Sequence, residues 1–321
     1  GTNDAATISG VSTASLTETN AVQTATGTLT SSDVDGTTNL FTALASTTGS
    51  NGYGTFSMTT AGVWTYTMTS AQDQFRLGTN YTDSVTVTTA DGTAQLITVT
   101  IAGTNDAAVL SSDTKNLTES NAVLTSSGTL SISDVDSAAT YQAQTISGTY
   151  GSLTIASSGA WTYTASTAHN EFVAGTNYQD IFTVRSADNT TSTVTINIAG
   201  TNDAATISGV STASLTETNA VQTATGTLTS SDVDGTTNLF TALASTTGSN
   251  GYGTFSMTTA GVWTYTMTSA QDQFRLGTNY TDSVTVTTAD GTAQLITVTI
   301  AGSNDAATIT GATTGNVIEA G

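Results

Sequence analysis

Residues Gly1 to Gly103 recur without a single change at Gly200 to Gly302. A diverged copy of the same unit lies between them, and a partial fourth copy closes the sequence. The copies begin at Gly1, Gly103, Gly200 and Gly302, giving units of 102, 97 and 102 residues. About 100 residues suffices for a domain with its own core, whereas solenoid repeats run at roughly 20–50 residues. The expected organisation is therefore three domains, 1–102, 103–199 and 200–301, followed at 302–321 by the linker and partial first strand of a fourth. Verbatim repetition favours a role that needs length and regularity, because an active site needs to occur only once.

Within a unit the apolar period is two. Ser84 to Thr88, Leu96 to Ile101 and Val63 to Met68 all alternate, and β-branched Thr and Val suit a pleated surface. Turn residues punctuate at Asn20, Gly36, Gly49 to Gly52, Gly62, Gly78 and Asp91-Gly92. Seven strands result: A over 7–18 with a break near Gly10, B 22–31, C 40–45, D 53–59, E 63–68, F 81–89 and G 93–102. Ala71 to Leu77 is read as a short helical turn. Trp64 and Tyr66 share one face of strand E and are assigned to the core. The fold class is all-β: three tandem seven-stranded immunoglobulin-like or cadherin-like sandwiches in an elongated rod, each spanning roughly 40 Å. Asp33 aligns with Asp134 and Trp64 with Trp161, so unit 2 has lost four residues, expected around the C–D loop.

The chain carries 24 acidic residues against four basic ones, a net charge of −20. Nucleic acid and anionic membrane surfaces both need Lys and Arg patches and are excluded as partners. Cysteine is absent, which removes disulfides, zinc–thiolate sites and thiol catalysis. No apolar run is long enough to span a bilayer, and no leader pattern opens the chain, as expected of a fragment.

The acids follow a rule. If seven strands run up and down, the chain enters each domain at one end and leaves at the other. Glu18 and Asp83 then lie at the exit end. Asp33, Asp35 and Asp91 lie at the entry end beside the linker residues Asn3 and Asp4. The first junction would gather Glu18, Asp83, Asn105, Asp106, Asp134, Asp136 and Asp188. The second would gather Glu119, Asp180, Asn202, Asp203, Asp232, Asp234 and Asp290; Glu217, Asp282, Asn304 and Asp305 begin a third. Counting Glu319 of the partial fourth copy, these register positions hold 20 of the 24 acids; Asp73, Asp113, Glu171 and Asp272 fall outside them. Turn formation accounts for Asp91 and Asp4 but not for acids of several loops meeting at one end. Calcium, which takes six to eight oxygen ligands in flexible geometry, suits such a set better than magnesium, and about two to three ions per junction are expected. Asp33 to Gly36 opens like an EF-hand loop but lacks the required Glu.

The motifs Gly1-Thr2-Asn3-Asp4-Ala5, Leu16-Thr17-Glu18, Gly27-Thr28-Leu29, Ser32-Asp33-Val34-Asp35, Tyr53-Gly54, Gly62-Val63-Trp64-Thr65-Tyr66 and Ile101 to Asp106 together resemble a VCBS repeat, and Asn316 to Gly321 resembles its early segment. Ala6 departs from the proline usual after Asn-Asp-Ala. The resemblance implies a cadherin-like extender in a giant RTX-type adhesin, delivered by type I secretion to the bacterial cell surface and stiffened by calcium. The leading expectation is thus a monomeric spacer that contacts calcium and neighbouring repeats, in cell adhesion or biofilm formation. The alternative is that the repeats themselves bind glycan or another surface; ice binding ranks below both. An enzyme is not expected: the one histidine, His169, occurs only in unit 2 and is placed in an exposed loop.

Overall fold

A computed structural model describes residues 2–36 and 38–320; Gly1 and Gly321, at the ends of the quoted motifs, and Thr37, in the B–C loop, lie outside the described residues. All regular structure among them is β. Two compact units divide the chain: Gly1–Lys115, Thr125–Ser166 and Gln179–Ile196 form one, and Asn116–Leu124, Thr167–Tyr178 and Asn197–Gly321 the other. The linker between repeats 1 and 2 lies in the first of these units, and that between repeats 2 and 3 in the second.

Repeat 1 has eight strands: β1 (Thr7–Gly10), β2 (Thr13–Thr17), β3 (Thr24–Ser32), β4 (Leu44–Thr48), β5 (Gly54–Met58), β6 (Val63–Met68), β7 (Asn80–Thr88) and β8 (Ala94–Ala102). They form two sheets, β1-β3-β6-β5-β4 and β2-β8-β7. Strand A is split between them: β1 runs antiparallel to β3, and β2 runs parallel to β8. The switch falls at Gly10, whose φ of +106° is open to glycine, and where a Cβ would lie 2.4 Å from the Thr28 carbonyl oxygen. Strand C also changes partner. Phe41 bridges Thr89 of the second sheet, and β4 then pairs with β5 of the first across a bulge between Leu44 and Thr47. The sequence placed this strand at 40–45; the regular part begins later because its first residues serve as the bridge.

Alternation puts Phe56, Met58, Trp64, Tyr66 and Met68 on the inner face of one sheet, against Val87, Ile97, Val99 and Ile101 of the other. Trp64 and Tyr66 are fully buried, and the indole N–H donates to the Val11 carbonyl at 2.7 Å. Core burial at about 25 cal/mol per Å² of apolar surface is what stabilises a domain with no disulfide. Repeat 3 has the same strands, from β18 (Thr206–Gly209) to β25 (Ala293–Ala301), in the same sheet orders.

Repeat 2 runs from β9 (Val109–Leu110) through β10 (Asp113–Thr118), β11 (Thr125–Thr129), β12 (Ile132–Ser133), β13 (Gln144–Ser147), β14 (Gly151–Ile155), β15 (Ala160–Ala165) and β16 (Asn177–Arg185) to β17 (Thr191–Ala199). β9 pairs only with β12, and β11 heads a separate four-stranded sheet. The four missing residues are not confined to the C–D turn. Phe41 corresponds to the bridging Tyr141, Leu44 to Gln144, and Gly54 to Gly151. One residue is lost in the B–C loop, one at the bulge, which β13 lacks, and two in the C–D turn.

The segment after β6 is a pair of turns rather than a helix: Phe75 N–H donates to the Gln72 carbonyl at 2.8 Å and Thr79 N–H to that of Arg76 at 3.1 Å. Its counterpart in repeat 2 corrects the expectation for His169. That residue is buried, stacks on Phe172 with ring centroids 4.5 Å apart, and places Nδ1 2.8 Å from Glu171 Oε1. An aromatic shelf, absent from any loop reading of the sequence, holds the imidazole down.

Candidate metal sites at the repeat joints

The joint after repeat 1 is built by four segments. Glu18 directly follows β2, and its N–H extends the parallel ladder by donating to the Ala102 carbonyl at 2.8 Å. Its Oε2 accepts the Thr104 N–H at 3.3 Å and the Thr104 hydroxyl. The side chain is 1% exposed, yet Oε1 has no hydrogen-bond partner. Asp73 sits in the turn after β6, which is anchored by Phe75 stacked 3.8 Å from Tyr81. The linker passes tightly over this turn: a Cβ on Gly103 would lie 2.4 Å from the Arg76 carbonyl oxygen. Asp106 follows, with Oδ1 accepting the Asn20 amide at 2.8 Å and Oδ2 unpartnered. One carboxylate oxygen from each of Glu18, Asp73 and Asp106 lies within 4.8 Å of the others.

The fourth segment is the B–C loop of repeat 2. Asp134 Oδ1 accepts the N–H groups of Asp136 at 3.1 Å and Ser137 at 2.7 Å, while Oδ2 has no partner. Asp136 is 5% exposed and neither of its oxygens is partnered. Burial, then the charges of Glu18 and Asp73, push the Asp106 carboxyl above the usual range; burial, then Asp134, does the same to Asp136. No basic side chain pairs with the group: among the described residues Asp113–Lys115 is an ion pair elsewhere, and Glu171 meets His169 in a hydrogen-bond contact.

Asp188, from the F–G turn, has a different task. Its oxygens accept the Ser186 hydroxyl, the Thr190 N–H and hydroxyl, the Ala108 N–H at 3.1 Å and the Asn105 amide at 3.2 Å. It ties the F–G turn to the incoming linker. Burial opposes its charge, but the Ser186 and Thr190 bonds outweigh burial and hold the carboxyl well below its usual range. Asn105 also accepts the Ser137 hydroxyl at 3.2 Å. At the entry end of repeat 1, Asp35 accepts the Asp4 N–H at 3.1 Å, Asp33 accepts the N–H of Gly36 at 2.9 Å, and Asp91 accepts that of Ala6 at 3.0 Å, while Asn3 is exposed.

The joint after repeat 2 repeats the plan. Glu119 is 3% exposed with Oε1 unpartnered, and its Oε2 accepts the Thr201 hydroxyl. Asp203 is 8% exposed with Oδ2 unpartnered, and its N–H donates to Asp234 Oδ1 at 3.2 Å. Burial, then Glu119, raises the Asp203 carboxyl. Asp232 accepts the Gly235 N–H at 3.0 Å, and Asp290 accepts that of Ala205 at 3.0 Å. Asn202 is exposed. Beyond repeat 3, oxygens of Glu217, Asp272 and Asp305 again lie within 4.8 Å of one another, and the Asn304 amide donates to the Asp305 carbonyl at 3.3 Å.

Asp83, Asp180 and Asp282 do not belong to these groups. Asp83 lies inside β7 on its inner face, in register with Val99, and is fully buried. Its oxygens accept N–H groups of Asn51 at 2.9 Å and Gly54 at 3.0 Å and the Tyr66 hydroxyl at 3.3 Å. Asp180 likewise accepts Thr149 and Tyr150 N–H groups, and Asp282 those of Asn250 and Gly253. With its acceptor sites filled by the domain's own donors, this aspartate braces the C–D turn. Asp73 and Asp272 lie outside the register positions of the other acids, yet their turn brings them to Glu18 and Glu217 respectively.

Unpartnered carboxylate oxygens this close repel by roughly 3 kcal/mol per ionised pair at an effective dielectric of about 20. The clustered donors are carboxylate oxygens. Such a set fits a hard cation of high coordination number and lacks the His and Cys that zinc prefers.

Among solved structures the chain is similar to a protocadherin gammaB7 EC3-6 cis-dimer (14% identity, 94% of this chain and 74% of that one, TM-score 0.46). It is similar also to Drosophila N-cadherin EC1-4 (17%, 91% and 73%, TM-score 0.40) and mouse cadherin-23 EC22-24 (15%, 95% and 100%, TM-score 0.43). No curated protein matches it. Residues 3–103, 105–200 and 202–302 each match the model of the bacterial cadherin-like domain. The chain therefore belongs to the bacterial cadherin-like domain family.

Proposed function

We propose that this chain is a calcium-rigidified spacer from a large secreted surface adhesin of the VCBS-containing, RTX type, exported by type I secretion and holding a distal binding domain away from the bacterial cell in adhesion or biofilm formation. Its working units are the repeats 1–102, 103–199 and 200–301, and it acts as a monomer whose partners are calcium and its own neighbouring repeats. One observation carries this reading: carboxylate oxygens of Glu18, Asp73 and Asp106 lie within 4.8 Å of one another, and these three acids, like Asp134 and Asp136, keep buried oxygens that no hydrogen bond or ion pair among the described residues answers. Family membership supports it, since cadherin-like domains generally bind calcium between domains and are typically extracellular. About two to three ions per joint would balance the carboxylates.

At the first joint Glu18, Asp73, Asp106, Asp134 and Asp136 would hold calcium, with Asn105 beside them. At the second the set is Glu119, Asn170, Asp203, Asp232 and Asp234. Asp91, Asp188 and Asp290 would position the linker rather than ligate. Bound calcium supplies positive charge that ties loops of consecutive repeats to their linker.

Calorimetric titration of the chain with calcium tests the proposal, beside the Asp134→Ala/Asp136→Ala variant. Saturable binding, reduced in the variant, is expected, together with scattering profiles that change when EDTA is added. A flat titration of the wild-type chain would sink the reading.

A further inference from the structure

Repeats 1 and 3 carry Asp73 and Asp272 in the turn after the sixth strand; repeat 2 carries Asn170 at the same place. The turn itself is kept. Gln72 and His169 both have positive φ, at 66° and 62°, and Phe75 and Phe172 stack on Tyr81 and Tyr178 at 3.8 and 3.7 Å. Asp73 Oδ1 and Asn170 Oδ1 are both buried without a hydrogen-bond partner. The position therefore presents the same oxygen in both joints and differs by one negative charge. Carboxylate oxygens cluster beyond repeats 1 and 3 as Glu18–Asp73–Asp106 and Glu217–Asp272–Asp305; among the described residues repeat 2 has no such triad.

Neighbouring substitutions do not restore the charge. Glu171 is turned aside by a hydrogen-bond contact with His169 at 2.8 Å, and its side chain is 58% exposed, so solvent screens its charge. Arg76, which becomes Val173 in repeat 2, lines an open cleft with Asn105, Asp136 and Asp188. It is exposed and forms no ion pair among the described residues, so solvent screens it and it offsets little of Asp73. Each joint also contains an acid more than nine-tenths buried with an unpartnered oxygen, Glu18 in the first and Glu119 in the second. The sites thus share their frame and differ in ligand charge.

We infer that the two joints bind calcium unequally, the joint after repeat 2 at least about tenfold more weakly, because ligand charge count sets calcium affinity over decades. This rests on the calcium reading above. As free calcium falls, the linker at 201–203 loosens while that at 104–106 stays ordered, so the array has a graded response rather than one threshold.

Hydrogen exchange of the full chain, read by mass spectrometry across a series of buffered free calcium, separates the two linkers because their flanking sequences differ. The protection midpoint of peptides over 201–205 is expected at about tenfold or more higher calcium than that over 104–108. Asn170→Asp should bring the second midpoint toward the first, and Asp73→Asn should raise the first toward the second. Coincident midpoints in the wild-type chain, or an Asn170→Asp variant that leaves the second unmoved, overturn the inference while calcium binding stands. If calcium protects neither linker, the calcium reading itself fails and the inference goes with it.

Discussion

The Tyr66 hydroxyl donates to Oδ2 of Asp83 at 3.3 Å with both side chains fully buried, and the same pair recurs as Tyr265 and Asp282 at 3.2 Å. A carboxyl group inside the sandwich is tolerated because its oxygens are hydrogen-bonded, which also holds the C–D turn closed. Replacing Asp83 by Ala leaves the Asn51 and Gly54 N–H groups and the phenol without their acceptor. Each stranded donor costs about 1–3 kcal/mol, so repeat 1 should lose on the order of 3 kcal/mol or more. Each repeat has one Trp, so about a third of the fluorescence change on denaturant unfolding should move to lower denaturant. Calcium affinity should be nearly unchanged; its loss at unchanged stability would return Asp83 to the ligands.

The same pair gives the chain an alkaline limit. Burial first, and the Asp83 charge second, push the Tyr66 phenol far above its ordinary value, as happens at Tyr163 and Tyr265. The folded state therefore holds protons that the unfolded state releases near pH 10. Stability from these groups is complete below about pH 10 and declines above it, toward the raised folded value. Denaturation midpoints should be level through neutral pH and fall above about pH 10. Tyrosinate absorbance at the buried phenols should appear only with unfolding. Early titration of all ten tyrosines in the folded chain would contradict this.

These two residues also show what the sequence disclosed and what it hid. Trp64 and Tyr66 are assignable to the core because strand period alone sets their face, and Gly10 marks a break in strand A, which the structure resolves as a change of sheet. The acids of the linker and the B–C loop were placed at one end by counting strands. Asp83 is hidden among the joint acids by its charge, although its parity puts it on one face of β7 with Val85 and Val87. Asp73 was missed because its turn has no periodicity, and what aims it, Phe75 on Tyr81, is a tertiary contact. The bulge before Thr47 is likewise set by pairing with β5 and leaves no mark in composition.

Asp188 gives an acid limit of opposite sign. Bonds from Ser186 and Thr190, offset by burial, leave its folded value below the ordinary one. The unfolded state then binds the proton first, so stability from this carboxylate is present above about pH 4 and lost as pH falls below it. Asp188→Asn should flatten the acid limb of calcium-free stability and raise exchange at Ala108 N–H, which donates to Asp188. An acid limb identical to wild type, with Ala108 still protected, would show that the turn is held by other contacts.

Gly103 joins the fold to the joint. Its N–H donates to the Thr79 carbonyl at 3.0 Å, and a Cβ there would lie 2.4 Å from the Arg76 and 2.6 Å from the Phe75 carbonyl oxygens. Both obstacles are backbone, so neither can swing aside, and overpacking of this kind costs about 1–3 kcal/mol. Relief requires the turn that carries Asp73 to separate from the linker that carries Asp106. Gly103→Ala should thus lower the stability of repeat 1 modestly and weaken calcium binding at the first joint more than its loss of stability explains. Gly200→Ala, against the Val173 and Phe172 carbonyls at 2.4 and 2.7 Å, should do the same at the second joint. Calcium calorimetry beside denaturant unfolding of each variant separates the two effects; a fall in stability with unaltered calcium affinity would mean that the turn and linker move together, and that Gly103 serves the domain alone.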